Sequence, residues 1–357
     1  MNLNKTYFFI LGLNNKIYIL YVVMFYMGFE DLDLKDRKLL YQLDINCRQT
    51  DSEIGKKIGL SKQSVAYRID RLFNSGYISY FTSVIDTYKL GYSKYKLYLS
   101  LKDIDGKKFS QIIDFLKKEK KSEGVAICSG KWDLIVGYLV KDEYDFQKCL
   151  KSLNNKFGKF VSSREISVSL GVPHWRRNYL VAGGREVLPV FQGGEKNNIK
   201  LDFFDDKLIR LIANNARMSV VKMATKLKSS PRKTSYRIRN LISKKVILLN
   251  RVALNLDKIG FIRCKSFVIF KNINEESYRE FLKYCNSLPN LTYLINCLGS
   301  WDVELEFEVE DFVNFHKLMK VMKNKFFNII ESYDFVIVTE DSKLDYYPGA
   351  LPPLTKF

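Results

Sequence analysis

Along residues 31–87 the spacing of apolar positions changes twice. Leu32, Leu39, Leu40 and Leu43 recur at helical intervals behind Asp33, a good helix cap, and predict a helix over 33–45. A second helix is predicted over 51–58. Gly59 and Leu60 make a tight turn, Ser61 caps a third helix with Val65, Ile69 and Leu72 facing inward, and Gly76 suits the left-handed position after it. Residues 77–85 alternate as a β-wing. Three helices with a glycine turn before the last, then a wing, describe a winged helix-turn-helix.

After Gly91 the period becomes that of strands. Strands are predicted over 95–101, 125–128, 134–140 and 161–169, with helices over 109–118 and 144–157, which is the βαββαβ order of a ferredoxin-like domain. The pattern then starts again. A slide of 169 residues lays Asp33, Asp36, Arg48, Ser61, Tyr67, Arg68, Gly91, Cys128, Gly130, Trp132 and Asp133 on Asp202, Asp205, Arg217, Ser230, Tyr236, Arg237, Gly260, Cys297, Gly299, Trp301 and Asp302. One register held over about 140 residues implies duplication.

The expected fold class is therefore α+β: two tandem copies of a winged helix-turn-helix followed by a ferredoxin-like βαββαβ domain. The winged units are placed at 31–87 and 200–256 and the ferredoxin-like domains at 93–170 and 262–341. Residues 171–199, holding Gly183, Gly184, Pro189, Gly193 and Gly194, read as a linker, and 342–357 as a tail. Residues 1–30 stand outside the repeat. Their apolar run over 17–29 is shorter than the ~20 residues of a bilayer span and lacks a small-residue cleavage pattern. A start codon placed upstream of Met27, an added packing element and a membrane anchor all fit it.

With 357 residues, roughly two to four domains are expected. The six cysteines include no Cys-x-x-Cys and have two histidines for company, which argues against a zinc site or a disulfide framework and for a reducing cytoplasm. No metal and no cofactor are expected. The net charge of +19 points to a polyanionic partner, nucleic acid ahead of a membrane surface. From Lys207 to Leu256 there are 13 Lys or Arg residues and no Asp or Glu, whereas Lys38 to Thr87 has seven against five.

In the third helix of copy one, Gln63, Tyr67, Asp70 and Asn74 lie opposite the apolar stripe, Ser64 and Arg71 on a shoulder, and Arg68 near the core edge, suited to a phosphate. In copy two, Thr234, Ile238 and Leu241 face inward and Arg232, Tyr236, Arg239 and Asn240 outward, behind a Ser230 cap and Pro231. The candidate DNA contacts are Ser61, Lys62, Gln63, Ser64, Tyr67, Arg68 and Arg71, and Ser230, Arg232, Lys233, Tyr236, Arg237 and Arg239. Copy two should supply salt-dependent affinity and copy one more of the reading.

The set Leu32-Asp33-Leu34-Lys35-Asp36-Arg37-Lys38-Leu39-Leu40, Ile58-Gly59-Leu60-Ser61, Arg68-Ile69 with Leu72, Gly76, Ile78 and Gly91, and Gly130-Lys131-Trp132-Asp133-Leu134 resembles the leucine-responsive regulator/AsnC family. The resemblance covers about residues 31–170 and again 200–341. It implies a transcription regulator whose recognition helices enter the major groove of double-stranded DNA, about 34 Å apart in a fused pair. It also implies self-association through the regulatory domains. An amino acid or another small effector is expected near the Gly-x-x-Asp turns, here Gly130, Asp133, Gly299 and Asp302, although a plain hairpin needs the same residues. Copy two departs from the family at Lys228, Ser229 and Lys245, where a left-handed non-glycine residue would cost ~1 kcal/mol, so its helices are expected to end differently. Siroheme decarboxylases resemble the same family and supply an enzymatic alternative. They carry His-Asn-Tyr-type residues where this chain has Ala126, Ile127, Cys128 and Ser129. A membrane-tethered regulator is the remaining alternative.

Three further features call for an explanation. Asp302, Glu304, Glu306, Glu308 and Glu310 share one face of a predicted strand, which a solvated surface, an intrachain basic partner or a cationic ligand would accommodate. Cys128 and Cys297 read as buried strand residues. His174 to Tyr179 read as a linker segment near phosphates or as surface-packed aromatics.

Overall fold

The computed structural model describes residues 7–13, 16–22, 31–181, 188–196 and 198–354. Its first elements are the antiparallel strands β1 (Tyr7–Leu13) and β2 (Lys16–Val22). The apolar run over 17–29 extends beyond the described residues, and no helix among the described residues is long and apolar enough to cross a membrane.

Asp33 accepts a hydrogen bond from the Asp36 amide and caps α1 (Leu34–Asn46). A reciprocal Thr50–Glu53 capping box starts α2 (Asp51–Ile58), Gly59 ends it at φ +68°, and Ser61 caps α3 (Lys62–Asn74). Leu39, Leu40, Leu43, Ile54, Val65, Ile69 and Leu72 form the shared core, and β3 (Ile78–Ile85) leaves it as the wing. Next come β4 (Ser93–Leu101), α4 (Gly106–Lys118), β5 (Ser122–Gly130), β6 (Leu134–Val140), α5 (Glu143–Phe157) and β7 (Val161–His174). Their strands lie in the order β5-β6-β4-β7, antiparallel throughout, with α4 and α5 packed over Leu97, Leu99, Val125 and Val136.

The linker expectation for 171–199 needs correction. β7 runs on through Gly171 to His174, residues 175–178 are buried, and β8 (Val190–Gly193) pairs with β7. Gly193, at φ +105°, lies so close to the Gly171 Cα that a Cβ there would stand 2.9 Å from it. Gly193, one of the glycines that suggested a loop, serves close strand approach instead, and Gly183 and Gly184 lie outside the described residues.

The same order of elements then returns: α6 (Phe203–Ile212), α7 (Val220–Lys226), α8 (Pro231–Ser243), β9 (Ile247–Leu254), a short α9 (Leu256–Ile259), β10 (Ile262–Phe270), α10 (Glu275–Ser287), β11 (Leu291–Leu298), β12 (Val303–Val309), α11 (Phe312–Lys325) and β13 (Ile330–Leu344). The expected change at the helix ends does not occur. Lys228 and Lys245 adopt φ +50° and +54° and take the left-handed positions held by Gly59 and Gly76. Residues beyond 344 fold back on this region: Tyr347 is buried, Arg210 donates to the Pro348 carbonyl at 2.6 Å, and the Leu354 amide donates to Asn215.

The two four-stranded sheets close on each other. β13 pairs with β5 and β11 pairs with β7, so eight strands run round a barrel with the helices outside. The wings also join: Ile78 lies opposite Leu254, Ile85 opposite Ile247, and Thr82 opposite Arg251 at the centre. Because Thr82 and Arg251 stand 169 residues apart, the ribbon's register is symmetric under the repeat offset.

Candidate functional site

Both third helices are oriented by buried apolar stripes, Val65, Ile69 and Leu72 in α3 and Thr234, Ile238 and Leu241 in α8. Each stripe turns the opposite face outward. The Ser61 hydroxyl accepts from the Ser64 amide at 3.1 Å and Ser230 from the Lys233 amide at 3.2 Å, satisfying amides that a helix start leaves open. Lys62, Gln63, Asp70 and Asn74 are exposed on α3, and Tyr67 is 68% exposed. On α8, Arg232, Lys233, Tyr236 and Arg239 are exposed and, with Ser230, line a shallow hollow of about 430 Å³.

Three of the predicted DNA contacts, Arg68, Arg71 and Arg237, are engaged elsewhere. Arg68 donates to Asp33 and Asp36 at 2.7 Å each, and Arg71 reaches Asp36 at 2.5 Å. Arg237 binds Asp202, and Asp205 at 2.7 Å. These arginines fasten the recognition helix to the start of α1 or α6, and hydrogen bonds to the aspartates raise the pKa of Arg68 and Arg237. The signal was available: Asp33, Asp36 and Arg68 recur together as Asp202, Asp205 and Arg237, the mark of an ion-pair set rather than of independent surface charges. No ion pair joins Arg232 or Arg239 among the described residues.

The Gly-x-x-Asp turns have a structural task. The Asp133 carboxylate accepts the Leu101 amide at 2.6 Å and Asp302 the Phe270 amide at 2.7 Å, tying each hairpin to the strand beside it. A Cβ on Gly130 would stand 3.1 Å from the Phe335 carbonyl, and one on Gly299 2.8 Å from the Ile166 carbonyl. Those carbonyls belong to β13 and β7, across the two seams that close the barrel. Trp132 and Trp301 are buried beside Tyr98.

Of the acidic ladder, Asp302 and Glu310 are exposed, while Glu304, Glu306 and Glu308 point into the barrel and find intrachain basic partners. Lys96 lies 2.7 Å and Lys265 3.3 Å from Glu304, and Lys265 3.2 Å from Glu306. Arg177 binds Glu308 at 2.7 Å and Asp44 at 2.7 Å, and Arg251 binds Asp44 at 2.6 Å. Burial alone would raise these carboxyls; Lys96 and Lys265 hold Glu304, and Arg177 holds Glu308, below the ordinary range. Residues 174–179, expected near the surface, are thus interior: Arg177 links α1, β9 and β12, and the Tyr179 hydroxyl donates to Glu308 at 2.5 Å. Sequence periodicity isolated the ladder but not its partners, which stand 39 to 208 residues away. Cys128 and Cys297 are buried, and burial pushes the Cys128 thiol up to about 12, as an inert structural cysteine requires.

Residues 32–72 match the AsnC-type helix-turn-helix domain. An HTH-type transcriptional regulator of Pyrococcus abyssi is 35% identical over 108 residues, 30% of this chain and 72% of that protein. The chain belongs to the AsnC-type family of transcription regulators. A second family relative, an HTH-type transcriptional regulator of Pyrococcus horikoshii, is 27% identical over 145 residues, 41% of this chain and 90% of its own length. Among solved structures, the siroheme decarboxylase NirDL has the same fold, with a TM-score of 0.57, 12% identity, and coverage of 87% of this chain and 93% of that one.

Proposed function

We propose that this AsnC-type regulator holds double-stranded DNA with α3 and α8 together, as a fused pair of family modules in one chain. The protein is a DNA-binding transcription regulator; the fused pair, its division at 31–87, 93–170, 200–256 and 262–341, and the contacting residues are the finer reading. One observation carries it. Each third helix is fixed by a serine cap and an arginine–aspartate clamp while its outward face presents Gln63 and Tyr67, or Arg232, Tyr236 and Arg239. Gln, Asn and Arg side chains on such a helix can reach base edges and phosphates in a major groove. The recurring element order and the symmetric wing register support the fused pair.

In this reading Arg232, Lys233 and Arg239 supply phosphate affinity, Lys62, Gln63, Ser64 and Tyr67 read on the other side, and Arg68, Arg71 and Arg237 position the helices. A small effector and further association of chains belong to the same reading, with the protein in the cytoplasm. The experiment is a salt series of binding to random-sequence and self-upstream duplexes. Tighter binding of the upstream fragment, with a steep salt slope, is expected; no binding at moderate salt would overturn the reading.

The enzymatic reading is supported by the likeness to NirDL over 87% of the chain. Against it, residues 125–130 carry no histidine for proton transfer. A titration with iron-uroporphyrin III separates the two: a bound tetrapyrrole spectrum without DNA binding would favour the enzyme.

A further inference from the structure

The outward line of α3 runs through Gln63, Tyr67, Asp70 and Asn74, all exposed. In α8 the matching line is Arg232, Tyr236, Arg239 and Ser243, each 169 residues further on and each exposed. The frame is the same in both helices, since Ser61 matches Ser230 as cap, Arg68 matches Arg237 as clamp and Tyr67 matches Tyr236 on the face. On this shared frame one position reverses its charge. The carboxylate of Asp70 stands where the second copy holds the guanidinium of Arg239.

That carboxylate does nothing for its own helix. Asp33, Asp105, Asp142, Asp202 and Asp311 each cap the start of a helix, where aspartate is strongly favoured. Asp70 lies instead inside α3, in the half nearer the C-terminus, where aspartate is a poor helix former and its charge opposes the helix dipole. A cation three or four residues away would offset this, but those places hold Ala66, Tyr67, Phe73 and Asn74. The nearest arginines along the chain belong to the clamp, Arg68 on Asp33 and Asp36 and Arg71 on Asp36. No ion pair joins Asp70 among the described residues.

Against DNA a free carboxylate is repelled by the phosphates, and what can hold it there is a hydrogen-bond donor on a base. In the major groove cytosine presents its N4 amino donor. Adenine sets the N7 acceptor beside its N6 donor, while guanine and thymine present acceptors, thymine with a methyl group as well. A carboxylate only accepts, so it suits cytosine and is rejected by guanine and thymine.

We infer that Asp70 is a specificity-determining residue whose carboxylate accepts a hydrogen bond from the N4 amino group of a cytosine in the major groove. The inference rests on the reading that α3 enters that groove, and the test separates the two.

The full-length chain is used to enrich bound duplexes from a random-sequence pool, and the enrichment is repeated with Asp70→Asn, with Asp70→Ala and, as a control, with Asp114→Asn on the exposed face of α4. The native chain should select a sequence with cytosine fixed at one position. Asparagine pairs with both N6 and N7 of adenine, so Asp70→Asn should turn that position to adenine, whereas Asp70→Ala should leave it without preference. Replacing the cytosine by thymine in the selected duplex should weaken the native chain roughly tenfold and leave Asp70→Ala unaffected. Asp114→Asn removes an equal charge away from the recognition helices and should select the native sequence. Asp70 is exposed, so both variants should keep the fold, which circular dichroism checks, and either one decides. A folded Asp70 variant that keeps the native preference at every position, even with tighter binding overall, would overturn the inference, because bulk repulsion alone would then describe Asp70. Enrichment of no sequence by the native chain would overturn it together with the reading that α3 and α8 hold DNA.

Discussion

At the scale of single residues, buried charge decides the most. Asp44, fully buried, holds both Arg251 and Arg177, and removing one member of such a set leaves the others charged in a medium that cannot solvate them. Asp44→Ala should therefore lower stability by about 3–5 kcal/mol, read as the shift of the chemical denaturation midpoint. His174 adds a pH dependence. Its folded pKa of about 3 lies below the ordinary 6.5, so the unfolded chain takes up the proton first as pH falls. The contribution is complete above pH 6.5 and is lost progressively down to about pH 3, in the same direction as the depressed Glu304, Glu306 and Glu308 carboxyls, whose share goes at lower pH. His174→Gln should flatten the stability profile between pH 6.5 and pH 4; a slope equal to that of the native chain would refute the assignment. None of this was legible from local pattern, because period two identifies a face of a strand but not what stands across the barrel from it.

At the scale of elements, the sequence was most informative where geometry is local. Caps at Asp33, Ser61 and Ser230, the Gly59 turn and the inward stripes of α3 and α8 all stand where spacing put them. The misreadings came from two sources. Lys228 and Lys245 take left-handed geometry because the surrounding helices and wing hold the turn, overriding a local preference of about 1 kcal/mol. Lys245→Gly should accordingly raise stability by about 1 kcal/mol in the same denaturation measurement, since glycine enters that conformation without strain. The arginines were misread because charge at a helix surface does not reveal a clamp. Arg232→Ala with Arg239→Ala should reduce the salt slope of DNA binding by about 1 per side chain and leave stability nearly unchanged. Arg237→Ala should instead lower stability, having lost its bonds to Asp202 and Asp205.

At the scale of the whole molecule, the closed barrel joins what the sequence presented as two separate domains. The βαββαβ order was readable from periodicity, whereas the β5–β13 and β7–β11 seams, the extension of β7 and the pairing of the wings rest on contacts far apart in the chain. Gly299→Ala probes one seam directly, because its Cβ would press on the Ile166 carbonyl and the residue holds φ +158°. Hydrogen exchange should then quicken at β7 and β11 together while α3 and α8 keep their protection. Faster exchange confined to residues 298–300 would contradict the coupling across the seam.

The outward faces of α3 and α8 carry a consequence for the DNA itself. A dimer of identical chains meets its operator with two equal hands, and a palindrome is the natural result. Under the proposed joint grip, one hand shows Gln63, Tyr67 and Asp70 and the other Arg232, Tyr236 and Arg239, and the sequence expected to suit such a pair has two unlike half-sites and a defined direction along the genome.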